Sequence, residues 1–214
     1  KEQEEVPFDR LQTCVAASAA SNGGCDASGR RTCSQPVSDI GMLYTHGSAT
    51  RPAFLAFMRQ LCAGKDGVTL HDAVKLKHFY RAMEKMCLKV GERRYECDSV
   101  CDVVRCMVEC ESCAAMQAVL ELLLAHGDIE VMRVKDRLTH PTPMAWADVM
   151  VNFRLRSDAN KHVCEVQIVH KKLLLARSGL GGHGPYAKVR AASEILEVVE
   201  AGGQATAAGS DAAA

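Results

Sequence analysis

Hydrophobic and polar positions change period several times along the chain, and the changes divide it into elements. In the stretch His162 to His170, "HVCEVQIVH", apolar side chains alternate with polar ones, which predicts a β-strand with Glu165 and Gln167 on one face and Cys164, Val166 and Ile168 on the other. "VMVNFRLRS" alternates in the same way, and the short "DANK" turn between the two predicts a strand pair of hairpin type. "VCDVVRCMVEC" from Val100 to Cys110 and "DIEVMRVKDRL" from Asp128 to Leu138 read as two further strands. Helical spacing appears in "PAFLAFMRQLC", with Pro52 near a helix start, in a longer segment from Leu70 to about Val90 that ends at Gly91, and over Ala114 to His126. Helical segments flank a glycine-rich break in "KKLLLARSGLGGHGPYAKVRAASEILEVVE". Mixed strands and helices with a hairpin predict an α+β fold with a mixed sheet.

The ends read differently. "KEQEEV" followed by "AASAASNGGCDASGR" has too few large apolar groups to offset the entropy of ordering it, so residues 1–45 are expected to be a flexible extension. Residues 46–200 carry the folded domain, and the small-residue stretch 201–214 reads as a disordered tail.

Composition narrows the function classes. With 26 basic and 26 acidic side chains the formal net charge is zero, which speaks against a general nucleic-acid binder. Any anionic ligand has to be held by a local cluster. No apolar run approaches the roughly 18 residues of a membrane helix. The 11 cysteines, without a signal-peptide pattern at the start, suggest a reduced, intracellular and cytoplasmic protein, although the chain begins at Lys1 and an upstream targeting segment would be out of view. Cys110 and Cys113 have the spacing of a zinc half-site, but no second pair completes it, and the cysteines from Cys97 to Cys113 read first as small buried hydrophobes.

Three features could carry chemistry. Glu165 with Gln167 is either a solvated strand face or part of a site, and Asp148 and Asn152 share a face in the same manner. Asp102 and Arg105 interrupt an apolar segment, where a lone buried charge would cost several kcal/mol; a strand-edge ion pair and a site fit equally well. Two carboxylates from neighbouring strands would suit Mg2+ beside substrate phosphates. Lys75, Lys77, Arg81 and Lys85 concentrate positive charge on one segment, which is a solvated helix face unless something anionic lies opposite.

The order of these pieces, from about Val74 to Ile195, resembles the synthetase domain of the RelA/SpoT family, which has a nucleotidyltransferase-like fold. The resemblance is carried by "EVQI" at Glu165 to Ile168, "VKDRLTHPTPMAWAD", the basic "KLKHFYRAMEKM", Asp102 in "CDVVRCMV", and His183 and Tyr186 in "GGHGPYAKVR". It implies transfer of pyrophosphate from ATP to the 3′-hydroxyl of GDP or GTP. Asp102 and Glu165 would be the catalytic pair and the Mg2+ ligands. Lys75, Lys77 and Lys85 would neutralise the triphosphate, Trp146 would stack on the acceptor base, and Arg105, Lys135, Gln167, His183 and Tyr186 would complete the nucleotide contacts. A homo-oligomer is compatible with the sequence. The chain departs from the family pattern at Lys75 (arginine), Ala145 (glycine), Trp146 (tyrosine), Asp148 (serine) and Val169 (arginine). Those departures keep two alternatives open: a degenerate nucleotide-binding or regulatory module, and a related nucleotidyltransferase with another acceptor.

Overall fold

The computed structural model describes residues 2–25, 32–73, 75–88, 95–142 and 145–179, together with positions 188, 192, 193, 195, 196 and 199. The elements run α1 (Glu2–Ser21), α2 (Ile40–Cys62), β1 (Val68–His71), α3 (Phe79–Cys87), a short 3-10 turn (Cys97–Ser99), β2 (Arg105–Cys110), α4 (Cys113–Ala125), β3 (Ile129–Asp136), β4 (Val149–Leu155), β5 (Cys164–His170) and α5 (Lys171–Gly179). The strands form one mixed sheet in the order β1-β2-β5-β4-β3, in which only β2 and β5 run parallel. This is the α+β fold with a mixed sheet that the alternating patterns predict.

Strand alternation splits the sheet into two unlike faces. Cys106, Val108 and Cys110 of β2, Val166 and Ile168 of β5, and Val151 and Phe153 of β4 point into the main core. Phe54 and Met58 of α2, Leu11 and Val15 of α1, and Met116, Leu120 and Leu123 of α4 close over them. Each such side chain, once fully buried, contributes roughly 1.5–3 kcal/mol. Cys62, Cys106, Cys110 and Cys164 behave as small hydrophobes here; burial pushes the Cys62 thiol to about 11 and that of Cys110 to about 12. The opposite face is polar. One row across it is Arg105–Glu165–Asn152–Arg133 and the next is Met107–Gln167–Met150–Lys135.

Several elements differ from the sequence reading. The first forty residues contain a helix rather than an extension alone, because Leu11 and Val15 lie one turn apart on a face that is fully buried against α4 and β3. Ala19, a turn further on, is partly buried against the same core. Helix α2 starts twelve residues before Pro52, at Ile40, capped by the Asp39 carboxylate on the Met42 N–H. Pro52 therefore lies inside it and removes one helical hydrogen bond. The segment from Leu70 is not one long helix: Leu70 and His71 complete β1 against β2, and the chain from Lys75 to His78 runs extended before α3 begins at Phe79. The backbone N–H of Lys77 donates to the Val103 carbonyl, so tertiary pairing displaces the helix that the periodicity favours. Val74, Val90 and Gly91 lie outside the described residues, and Phe79 at the start of α3 is exposed. Strand β2 begins at Arg105, which leaves Asp102 in the loop before it.

Gly47 on α2 has a packing reason. A side chain there would meet Val103 and Val104 and the ring of His162 at 3.2–3.3 Å, so its absence lets α2 sit against the loop that carries Asp102. Among the described residues no helix is long and apolar enough to cross a membrane.

Candidate active site

Asp102 is the hub of the polar face. Lys77 Nζ donates to its Oδ2 at 2.7 Å and Lys85 Nζ to its Oδ1 at 3.0 Å, while Arg105 Nη1 stands 3.9 Å from Oδ2. These three cations reach it from different places: the irregular run before α3, α3 itself, and the start of β2. The loop is held by local hydrogen bonds, including Val100 N–H to the Cys97 carbonyl, Asn152 Nδ2 to the Cys101 carbonyl, and Gln35 Nε2 to the Val100 carbonyl. Tyr44 Oη donates to the Lys77 carbonyl at 2.6 Å and fixes the backbone from which that lysine reaches. Burial alone would raise the Asp102 pKa, but Lys85 and Lys77 outweigh it and hold the carboxyl well below the usual carboxylate range. Lys77, itself buried, is pulled the other way: desolvation lowers its pKa against the attraction of Asp102. Lys85 is half-exposed, and despite desolvation the two acids Asp102 and Glu165 raise its pKa.

Glu165 lies beside this hub. It is 4% exposed, its N–H donates to the Val104 carbonyl, and it is flanked by Arg105 on β2 and Asn152 on β4. Gln167, two residues on and on the same face, donates to Oε1 at 3.1 Å. Desolvation first, and then the charge of Asp102, raises the Glu165 pKa against the pull of Lys85, Arg137 and Arg105. A buried acid whose proton is held more tightly, beside a second acid that stays ionised, is an arrangement suited to accepting a proton or sharing a divalent cation.

The remaining expected residues divide. Lys135 of β3 shares the Gln167 row, and its pKa is lowered to about 8 by desolvation and by Arg133, Arg137 and Lys85, so it faces the same cluster. Lys75 is exposed in the run before Lys77. His183 and Tyr186 lie outside the described residues. Trp146 is near the site, yet its ring is not open: it is 8% exposed, and the Arg177 guanidinium from α5 lies 4.5 Å above it. Ala145 before it takes a left-handed backbone, φ 55°, in a turn closed by Thr142 N–H to the Trp146 carbonyl and Ala145 N–H to the Thr142 carbonyl.

The sequence reading missed Tyr44, Arg133, Arg137 and Arg177. Arg133 forks onto Asn152 Oδ1 through Nε at 3.0 Å and Nη2 at 2.7 Å, and Arg137 pairs with Asp148 at 3.4 Å. For Arg133 and Arg137 a signal existed, since both alternate with Lys135 on one face of a predicted strand. Tyr44 and Arg177 gave none, because only tertiary packing brings α2 and α5 to this face.

No protein-family model matches the chain, and no curated protein sequence does. Among solved structures, small alarmone synthetase 1 from Bacillus subtilis matches over 81% of this chain and 98% of its own, at 13% identity and a TM-score of 0.51. Small alarmone synthetase 2 from the same organism covers 70% of this chain and 79% of its own at 17% identity, with a TM-score of 0.49. A third structure, small alarmone synthetase 1 bound to its product pppGpp, aligns with 81% of this chain and 95% of its own at 13% identity and a TM-score of 0.48. The chain therefore has the fold of a small alarmone synthetase.

Proposed function

We propose that this chain is a RelA/SpoT-like pyrophosphotransferase that moves the pyrophosphate of ATP to the 3′-hydroxyl of GDP or GTP. The observation that carries the reading is the meeting of Asp102 and Glu165, two buried acids, with Lys77, Lys85 and Arg105 on the polar face of the sheet. The likeness of fold to small alarmone synthetase 1 supports it, because that chain is matched almost end to end.

In the proposed reaction the acceptor 3′-oxygen bonds to the β-phosphorus of ATP, the bond between that phosphorus and the oxygen bridging to the α-phosphate breaks, and AMP leaves with that oxygen. Glu165 takes the hydroxyl proton, a role that its raised pKa favours. Lys77, Lys85 and Arg105, with the exposed Lys75, compensate the charge of the triphosphate; phosphoryl-type transfer depends mostly on such positioning and neutralisation. The donor set suits Mg2+: Asp102 and Glu165 are two buried carboxyls, the Glu165 pKa is raised by desolvation and then by the Asp102 charge, and each Asp102 oxygen retains a lone pair beyond its lysine. Bound there by Asp102 and Glu165, the ion would supply charge stabilisation to the transferring group. Gln167 and Lys135 line the same face.

The burial of Trp146 under Arg177 favours one alternative, a module that binds nucleotide without turnover. Incubation with labelled ATP, GDP or GTP, and Mg2+ separates the two. Formation of guanosine tetra- or pentaphosphate by the wild-type chain, lost in Glu165→Gln, is the expected result. Nucleotide binding in a calorimeter with no product from the wild-type chain would sink the enzymatic reading.

A further inference from the structure

Trp146 is the chain's single tryptophan, and three side chains hold it, two from within four residues and one from α5. Its indole N–H donates to Asp148 Oδ2 at 2.9 Å, and its backbone N–H donates to Thr142 Oγ1 at 3.2 Å. Arg177 covers one ring face. Asp148 is fully buried and carries a carboxylate on the polar face at the edge of the candidate site, where it meets Arg137 Nη1 at 3.4 Å through its other oxygen. Arg137 is held in turn, with Nη2 3.4 Å from Met150 Sδ.

A buried carboxylate has to be compensated, and here a guanidinium and an indole N–H share that task. The indole has the converse requirement: a buried N–H left without an acceptor costs about 1–3 kcal/mol. The two side chains lie only two residues apart, so their bond adds nothing to the tertiary architecture. What it fixes is the rotation of a flat ring about its side-chain bonds. A ring held at its edge keeps its face in one plane, which is the requirement for stacking against a planar base.

We propose that Asp148 is a positioning residue that acts through the Trp146 indole N–H to hold the ring as a preset stacking platform for the acceptor nucleobase. The proposal rests on the reading of the site given above. Asp148 touches neither substrate nor metal in this scheme; burial raises its pKa, Arg137 and the indole N–H oppose that, and Trp146 carries its effect. Arg177 occupies the platform face until a base takes its place.

The test compares Asp148→Asn and Asp148→Ala, each in the wild-type and the Trp146→Phe backgrounds, using the full chain. Asparagine retains an oxygen that accepts the indole N–H, and phenylalanine has no N–H to offer. Asp148→Ala should raise the KM for GDP about tenfold, with kcat and the KM for ATP nearly unchanged, and Asp148→Asn should stay within about threefold of wild type. In the Trp146→Phe background, Asp148→Ala should add nothing further to the KM for GDP. Without nucleotide, tryptophan emission of Asp148→Ala should shift to longer wavelength and become more accessible to iodide, and Asp148→Asn should not change it. Equal losses for asparagine and alanine, or a loss for alanine that persists with phenylalanine at 146, would overturn the proposal, as would unchanged emission in Asp148→Ala. If wild-type emission and heats of binding show no response to GDP at all, the acceptor-site reading falls and this role with it, whereas failure of the variants alone leaves that reading intact.

Discussion

Replacing Glu165 by glutamine should abolish transfer and yet make the nucleotide-free protein more stable. The carboxylate is 4% exposed and faces Asp102, and its pKa is raised by desolvation and then by that neighbouring charge. Each unit by which a pKa is raised is about 1.36 kcal/mol against the ionised form, so neutralising the group removes that penalty at neutral pH. Glutamine keeps the shape and keeps an oxygen for Gln167 Nε2, now at 3.1 Å from Oε1. The attraction of Lys85, Arg137 and Arg105 is lost, and the raised pKa means that the unfavourable terms exceed it. A gain of about 1–2 kcal/mol is expected, the usual size of stabilisation when a strained functional residue is removed. Urea unfolding measured on both proteins at a series of pH values is the assay. A carboxyl with a raised folded pKa binds more protons folded than unfolded, so its contribution is present below the unfolded pKa and is lost as pH rises through the folded one. The variant's advantage should therefore be absent at about pH 4 and grow as pH rises. Magnesium should raise the unfolding midpoint of the wild-type chain and have little effect on the variant. A variant less stable than wild type at pH 8, or an advantage independent of pH, would refute the reasoning.

Lys77→Met leaves Asp102 with Lys85 at 3.0 Å and Arg105 at 3.9 Å and should lower stability by about 3 kcal/mol, with a coupling energy to Asp102→Asn in a double-mutant cycle; additive effects would remove the pair from the account. His162 is fully buried, neither ring nitrogen has a partner among the described residues, and its pKa is lowered to about 4, chiefly by desolvation. The unfolded chain then binds a proton below about pH 6.5 that the folded chain refuses, so stability should fall by up to about 3 kcal/mol as pH drops toward 4, and His162→Gln should flatten that slope in acid titrations of the unfolding midpoint. Ala145→Gly relieves a left-handed alanine and should stabilise by about 0.5–1 kcal/mol in the same assay, without raising the KM for GDP.

Strand alternation in 162–170 and in "VMVNFRL" was enough to place Glu165 with Gln167 on one strand face and Asp148 with Asn152 on another, because a period of two follows from backbone geometry alone; the register that sets Asn152 opposite Glu165 came from the pairing of β4 with β5. Periodicity could not say whether that face meets solvent or a site. The 4% exposure of Glu165 is decided by neighbours, above all the Asp102 loop and the lysines drawn to it. Asp102 itself was legible as a charge in an apolar run, but its place before β2 rather than within it depends on the Val103 carbonyl being taken by the chain around Lys77. That same bond explains why a helical pattern from Leu70 fails locally, since β1 pairing and the Val103 contact together outweigh a propensity worth only tenths of a kcal/mol per residue.

By itself, then, the sequence determined the α+β class, the strands and the faces their side chains take, and the charged residues that interrupt apolar segments, since these follow from periodicity and charge. Only the tertiary structure decided which cations reach Asp102, that Glu165 is buried beside it, that α1 belongs to the core, and that Trp146 is held by Asp148 and covered by Arg177. Those are contacts between groups far apart in the chain or turned by packing, and their energies depend on distance and desolvation, which no local pattern encodes.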